Sequence, residues 1–358
     1  MNIIDYINYY GDNTFSSKEF NEIDNLIFSL ITYVDLSNIV LNKRKKALTI
    51  EETYKKFSSL YDEEYYKKQI TATKNGIDVF KAAANSNRFK DVKIMYYVYV
   101  GDKKSQFCAV SFEINPNLFY VGFEGTDHLI SGWEEDCKMA YRFPVEAQIY
   151  AKNYLNKHYT FKNCKIIVGG HSKGGNLALV SSMYSNMFVK KKIIKIYSND
   201  GQGLRKAQLE SKQYSSIEDR FIHIVPDHSI VGMLLRNKDN YHVIKSNKKG
   251  VMAHSGLTWQ VSYDHFEIAK LSRFSKVFQE GFSKWLDNYD DEKRKKFVES
   301  VFDVLYKNNI NSLTEIKLKK DIIKGLLSSS KELDPVVKQM SKELFIIINK
   351  TNIDYPWF

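Results

Sequence analysis

Apolar positions along the chain fall into two periods, and the change from one to the other divides it. Residues 16–34, SSKEFNEIDNLIFSLITYV, place Phe20, Ile23, Ile27, Leu30, Ile31 and Val34 at the three-and-four spacing of one helix face. Ser16 and Glu19 stand at the spacing of a capping box, so the helix is expected to open there. From about residue 92 the period shortens. VKIMYYVYV, QFCAVSFEI and LFYVGF are rich in Val, Tyr and Phe and are split by GDKKS and NPN. They read as three consecutive strands, antiparallel at first. Helix and strand then alternate: VEAQIYAKNYLNKH as helix, CKIIVGG as strand, a helix from about Gly174, KIIKIYS as strand, a polar helical stretch over about 205–217, FIHIV as strand, then YHVIKS. Such alternation demands right-handed crossovers and a parallel sheet with helices on both faces. From about residue 265 the pattern is helical to the end, as in Phe297, Val301, Phe302 and Leu305. The expected organisation is a helical segment over 1–90, an α/β core over 91–264 and a helical region over 265–358. No linker-like stretch separates them, so the helices should pack on the core.

One junction in this pattern carries chemistry. IIVGGHSKGGNLALVSS, residues 166–182, passes from an apolar strand into a helix through Gly170-His171-Ser172-Lys173-Gly174. A serine hydroxyl needs a base to take its proton, an acid to orient that base, and donors for the oxyanion. The Gly-x-Ser-x-Gly spacing lets a serine sit on a sharp strand-to-helix turn with its hydroxyl exposed. In this architecture the acid and then the histidine follow the serine in chain order. Asp227, just past FIHIV, is the favoured acid, and His254, in GVMAHSGLTW, the base. Asp200 in YSNDGQG competes for the acid's place, although Asp-Gly is itself a turn dipeptide. His171 and His228 compete for the base, but each adjoins a proposed triad residue, which should turn its ring elsewhere. The oxyanion donors expected are the backbone N–H of Lys173 and a group at Thr126, at the end of the strand LFYVGF. His223 and His228 offer no third metal ligand, and no metal or cofactor is expected.

Composition narrows the rest. The 358 residues include 43% hydrophobic positions, enough for a sizeable core, and the net charge is +11. The lysines are scattered and no nucleic-acid-binding pattern accompanies them, so no nucleic-acid partner is expected. The densest runs, NKRKK at 42–46 and KKK at 190–192, read as solvated helix ends or loops. A peripheral contact with a membrane is compatible with the charge. Cys108, Cys137 and Cys164 are odd in number and form no CxxC, which fits reduced thiols in a cytoplasm. The N-terminus lacks the pattern of a signal peptide, and no apolar run nears the roughly 20 residues of a membrane span.

Together these residues resemble the class-three lipase branch of the α/β-hydrolases, and more closely a bacterial Mbeg-like group of unassigned function. The segments that carry the resemblance are DYINYYGDNTFSSKEFNEIDNLIFSLITYVDL, SNRFKDVKI, QFCAVSF, FEGTDHLISGWEEDCKMAY, VEAQIYAKNYL, GHSKGGNLA, YSNDGQGL, SIVGMLL and HSGLTW, in that order. It extends from the first residues to about residue 265, and more loosely into the tail. The resemblance implies an α/β-hydrolase fold, Ser172 as nucleophile, Asp227 as acid, His254 as base, and Thr126 as an oxyanion donor through its amide and its hydroxyl. Two positions depart from the pattern: Glu124 stands where the lipases carry arginine, and Gln202 where the group carries proline. The expected function is a cytoplasmic serine hydrolase acting on an acyl or lipid ester. A silent hydrolase fold used for binding or as a scaffold is the other reading, and it would account for Glu124.

Overall fold

The computed structural model of the protein describes residues 1–42, 47–101, 105–127, 129–308, 310, 312 and 334–351. Eight strands form one sheet in strict chain order: β1 (Leu48–Thr49), β2 (Lys93–Gly101), β3 (Gln106–Asn115), β4 (Leu118–Phe123), β5 (Lys165–His171), β6 (Ile193–Asn199), β7 (Phe221–Pro226) and β8 (His242–Ile244). Pairing is antiparallel from β1 to β4 and parallel from β4 to β8.

The sequential order decides how the two faces are covered. Each parallel crossover steps one place in the same direction, and right-handed crossovers then all land on one face. That face carries α7 (Glu146–Tyr159) and α8 (Lys173–Tyr184), preceded by α6 (Ile130–Lys138), and buries Phe119, Val121, Ile166, Val168 and Ile196 against Ala151, Leu155 and Leu177. The opposite face is left for the N-terminal helices: α1 (Ile3–Tyr10), α2 (Glu22–Ile31), α3 (Ile50–Leu60), α4 (Glu63–Lys68) and α5 (Thr71–Ala84). Val110, Phe112, Tyr120, Ile167 and Tyr197 pack there with Ile23, Ile27, Leu30 and Phe80. The neighbours Phe119, Tyr120 and Val121 thus alternate between two cores, as the period of a strand requires. Helices do cover both faces, but crossovers supply only one set. The fold is that of an α/β-hydrolase with helical ends.

The start of α2 departs from the expected one. Ser16 and Glu19 make no cap. Asn21 caps instead, its side chain accepting from Ile23 N at 2.9 Å and Asp24 N at 3.0 Å while Asp24 accepts from Asn21 N at 2.9 Å. Upstream, the carbonyls of Asn13, Lys18 and Glu19 are turned onto the Arg88 guanidinium, which removes them from any helical ladder. Arg88 and Asp24 are a fully buried ion pair, 2.5 Å apart, and tie the loop before α2 to the loop after α5.

Short helices fill the later connections: α9 (Met187–Lys190), α10 (Lys206–Leu209) and α11 (Lys212–Ser215). The last two replace the single helical stretch expected over about 205–217. Ser211 ends one turn and caps the next. The tail holds α12 (Arg273–Asn288), α13 (Asp291–Lys307) and α14 (Pro335–Thr351). α12 sets Phe278 against Val225 and Met233, and α13 sets Val298 and Phe302 against Ile130 of α6. Of the basic run at 42–46, residues 43–46 lie outside the described residues.

Candidate active site

Ser172 sits at the turn between β5 and α8, at the C-terminal edge of the parallel strands. Its backbone is in the left-handed half of the map, φ 58° and ψ −132°, where a residue other than glycine is strained. Close packing holds it there. A Cβ at Gly170 would lie 2.3 Å from the Gly174 carbonyl carbon, and one at Gly174 would lie 2.1 Å from Phe123 O. The two glycines let β4, β5 and α8 meet beneath the serine. Ser172 is half-buried and heads the helix, so its hydroxyl is placed where the helix N-terminus favours negative charge.

The carboxylate that meets His254 is that of Asp200, and the expectation that Asp227 would hold this histidine is corrected. His254 Nδ1 lies 2.6 Å from Asp200 Oδ2. The other oxygen, Oδ1, accepts from Ser229 Oγ at 2.5 Å and Gly232 N at 3.0 Å. Asp200 is fully buried. Burial alone would raise its pKa, but the bonds from His254 and Ser229 outweigh it and leave the carboxyl below its ordinary value, ionised. A carboxylate can only accept, so Nδ1 carries the proton and Nε2 is the nitrogen left to take a proton from a serine. Asp227 ends the next strand out. Its carboxylate accepts from Ser246 N at 3.3 Å, and its carbonyl accepts from Ser272 N at 2.8 Å, so it fastens β8 and the start of α12. The physical reason is strand order: β6 is the direct neighbour of β5, whereas β7 is one strand farther. Asp200 does adopt a turn backbone, φ 50°, as its Asp-Gly sequence suggested, and that turn is what aims its carboxylate.

His171 was expected to turn away, yet it supports the base. Its Nε2 lies 2.7 Å from His254 O and its Nδ1 3.0 Å from the Tyr33 hydroxyl. The carbonyl can only accept, so Nε2–H donates to it and Tyr33 O–H donates to Nδ1. Burial and the neighbouring His254 push the His171 pKa down to about 3, so the ring is neutral, as this pattern requires. Trp259 Nε1 holds Ala253 O at 2.9 Å, Asn75 of α5 holds Ser255 Oγ at 2.8 Å, and Gly256 rests on Leu26 and Leu30 of α2. The loop of the base is therefore mounted on the N-terminal helical layer. Tyr33, Ser229 and Asn75 were not legible as site residues. Tyr33 and Ser229 lie in segments that had stood out for the resemblance, ITYVDL and SIVGMLL, but nothing in them marked these two side chains.

Lys173 and Thr126 lie at the same edge. Lys173 opens α8, so its backbone N–H is one of the free donors of a helix start. Its side chain is wholly buried and ion-paired with Glu135 of α6 at 2.7 Å, and Nζ also donates to Gln106 O at 2.7 Å. Glu135 accepts further from Ser105 Oγ at 2.9 Å and Ala147 N at 2.8 Å. Thr126 donates its hydroxyl to Asp136, which burial pushes up to about 6. While Asp136 is ionised, the Thr126 amide rather than its hydroxyl is the free donor. Glu124 is buried beneath this loop, and burial with the nearby Asp127 raises its pKa well above the carboxylate range. Gln106 Nε2 donates to it at 3.2 Å. Burial thus favours the uncharged form of Glu124. Among the described residues, no group of three or more His, Cys, Asp and Glu side chains is set to hold a metal ion, and no helix is long and apolar enough to cross a membrane.

No curated protein matches the sequence significantly. The solved structure of M37 lipase aligns with a TM-score of 0.37 at 17% identity, over 60% of this chain and 70% of that one, a likeness too slight to carry function. The sequence model of the Mbeg1-like family matches residues 83–303, from the end of α5 to α13, and so includes Ser172, Asp200 and His254. The chain belongs to the Mbeg1-like family.

Proposed function

We propose that the protein is a serine hydrolase that cleaves an acyl ester, or the acyl ester of a single lipid molecule, through an acyl-enzyme. The observation that carries this reading is the pairing of His254 Nδ1 with the buried Asp200 carboxylate, at the sheet edge where Ser172 occupies a strained strand-to-helix turn. In this reading His254 Nε2 takes the Ser172 proton as Oγ attacks the ester carbonyl, and then returns it to the leaving alcohol. Asp200 keeps the productive tautomer and stabilises the imidazolium. The Lys173 and Thr126 amides receive the oxyanion. Water repeats the cycle on the acyl-enzyme. None of these steps calls for a metal or cofactor. Cys108, Cys137 and Cys164 form no disulfide, which supports a cytoplasmic setting.

The scaffold reading leaned on Glu124, and a Glu124 buried beneath the loop does not favour it. The test is labelling with a fluorophosphonate probe, followed by turnover of a chain-length series of acyl esters. Wild type should label and turn over. Ser172→Ala should do neither while keeping its circular dichroism spectrum and thermal midpoint. Equal labelling of the variant would place the nucleophile elsewhere, and no turnover of any ester by wild type would favour the scaffold.

A further inference from the structure

The edge of the sheet opposite Ser172 carries a feature that ester hydrolysis does not use. Between Glu146 and Asp200 the sequence has no acidic residue at all and nine lysines, in a chain whose net charge is +11. The lysines gather where β5 and β6 begin. Three of the nine are spent on the fold: Lys173, at the other end of β5, on its ion pair with Glu135; Lys190, whose Nζ donates to Met183 O; and Lys192, whose Nζ donates to Tyr159 O and Thr160 O at the end of α7. Lys157, Lys165, Lys191 and Lys195 are exposed and have no ion-pair partner among the described residues. Of the acids near this edge, Asp219 is paired with Arg220, whose guanidinium also holds the carbonyls of Lys190 and Ile193, Glu218 is paired with Lys238, and Glu113 is near enough to act on Tyr159.

Large apolar side chains project from the middle of this basic rim. Phe161 is 100% exposed, Met187 63% and Phe188 61%. They belong to one spot, because Asn186 Nδ2 donates to Thr160 Oγ1 at 2.8 Å and Asn186 N to Asn156 Oδ1 at 3.0 Å. α9 itself is held firmly, with Val189 buried in the core and Asn186 as its cap, so its exposed Met and Phe are presented and not merely loose. Single exposed apolar residues are common. Three large ones on two hydrogen-bonded turns, ringed by unpaired cations, form a contact site.

We propose that this edge is a docking surface for an anionic lipid bilayer, with Phe161, Met187 and Phe188 entering the headgroup–acyl boundary and the four lysines resting on the lipid charges. Charge complementarity selects this occupant: an apolar tip among lysines that outnumber the nearby carboxylates matches an anionic interface, where both contributions act together. A second copy of the chain would bring like charges together. β5 has seven residues, so at roughly 3.3 Å per residue the surface lies about 20 Å from Ser172, at the far end of the same strand. Docking there holds the protein on the bilayer with the candidate active site turned away from it. This inference stands on its own observations and needs no hydrolase activity.

The test is cosedimentation of the full chain with phosphatidylcholine vesicles that contain or lack phosphatidylglycerol. Binding is expected to the anionic vesicles alone and to weaken as salt rises. Phe161→Ser with Phe188→Ser should weaken it by about tenfold or more, and Lys157→Gln, Lys191→Gln and Lys195→Gln together by a similar factor. Thermal melts confirm that both variants stay folded, which their exposed positions favour. No binding by wild type, equal binding to neutral vesicles, or unchanged binding by either folded variant would overturn the proposal. So would a dimer in sedimentation that Phe161→Ser with Phe188→Ser makes monomeric, since the patch would then be an interface between copies.

Discussion

At the scale of single residues, two aspartates end neighbouring strands, and only one touches the base. Asp200 holds His254 Nδ1 and is itself held by Ser229 and Gly232, whereas Asp227 serves backbone groups. Asp200→Asn should therefore lower kcat by about four orders of magnitude, by favouring the wrong histidine tautomer. Asp227→Asn should leave kcat within a few-fold of wild type and lower the melting temperature slightly, since the β8–α12 junction loosens. Steady-state kinetics of the two variants on one soluble ester separate these outcomes, and a reversed order would restore Asp227. His171 gives a second prediction at this scale. Its pKa falls from an ordinary 6.5 to about 3 in the folded protein. Below pH 6.5 the unfolded chain takes up a proton that the folded chain refuses until about pH 3. The stability from neutral His171 is thus complete above 6.5 and declines as pH falls through that window, by on the order of a few kcal/mol. His171→Gln should flatten this decline in urea unfolding measured from pH 7 to pH 4. An unchanged slope would mean that other groups control acid stability.

At the scale of elements, α6 and α8 are locked by a charge pair that neither element advertises. Lys173 stands beside the nucleophile and Glu135 in the middle of a polar helix, and both are fully buried. Removing one partner strands the other, so Glu135→Gln should cost about 3–5 kcal/mol in urea unfolding. Glu135→Leu combined with Lys173→Met should recover most of that loss, because two apolar groups strand nothing. If the double variant is as unstable as the single one, the pair contributes through packing geometry and not through mutual neutralisation. The same elements show what could be read in advance. The strands from residue 92 to residue 226, and the helices that became α7 and α8, were legible because apolar period and glycine placement are local properties, whereas α6 and α9 were not read. The turn at Ser172 and the loop of His254 were legible for the same reason, since each is a distinctive local pattern. The acid was not, because Asp200 and Asp227 both follow strands, and only the order of β5, β6 and β7 tells which stands beside Ser172. Strand order is set by long-range pairing that no local pattern records. The capping of α2 was missed because Ser16–Glu19 and Asn21–Asp24 offer the same spacing, and the choice lies with Arg88, more than sixty positions away in the chain.

At the scale of the whole molecule, the issue is whether the candidate site is covered by a moving lid. In an interfacial lipase an apolar cover leaves the site when it meets lipid. The segment that follows the Thr126 loop here is α6, and three contacts hold it. Glu135 anchors it inward to Lys173 and to Ala147 N, Ile130 packs outward on Val298 and Phe302, and Glu134 accepts from the Tyr306 hydroxyl of α13. Swinging α6 aside would expose the buried ion pair and the apolar contact with α13 together, at a cost of several kcal/mol. The only large apolar side chain it presents to solvent is Trp133, 41% exposed, and that ring is tied by Nε1 to Asp127 O at 3.2 Å. Nor is the site sealed as it stands, for Ser172 is half-buried and the His254 side chain keeps 22% of its surface exposed. The tail helices α12 and α13 brace α6 and the β7–β8 edge. A fixed α6 beside an accessible serine predicts that activity needs no interface. Hydrolysis of one ester, followed as its concentration passes through the solubility limit, should saturate smoothly while the ester is dispersed and level off when droplets form. The variant Trp133→Ala should leave that profile unchanged. A sharp rise at the onset of droplets would mean that α6 moves despite its anchors, and the ion pair between Lys173 and Glu135 would then be the latch to examine by the same assay in Glu135→Gln.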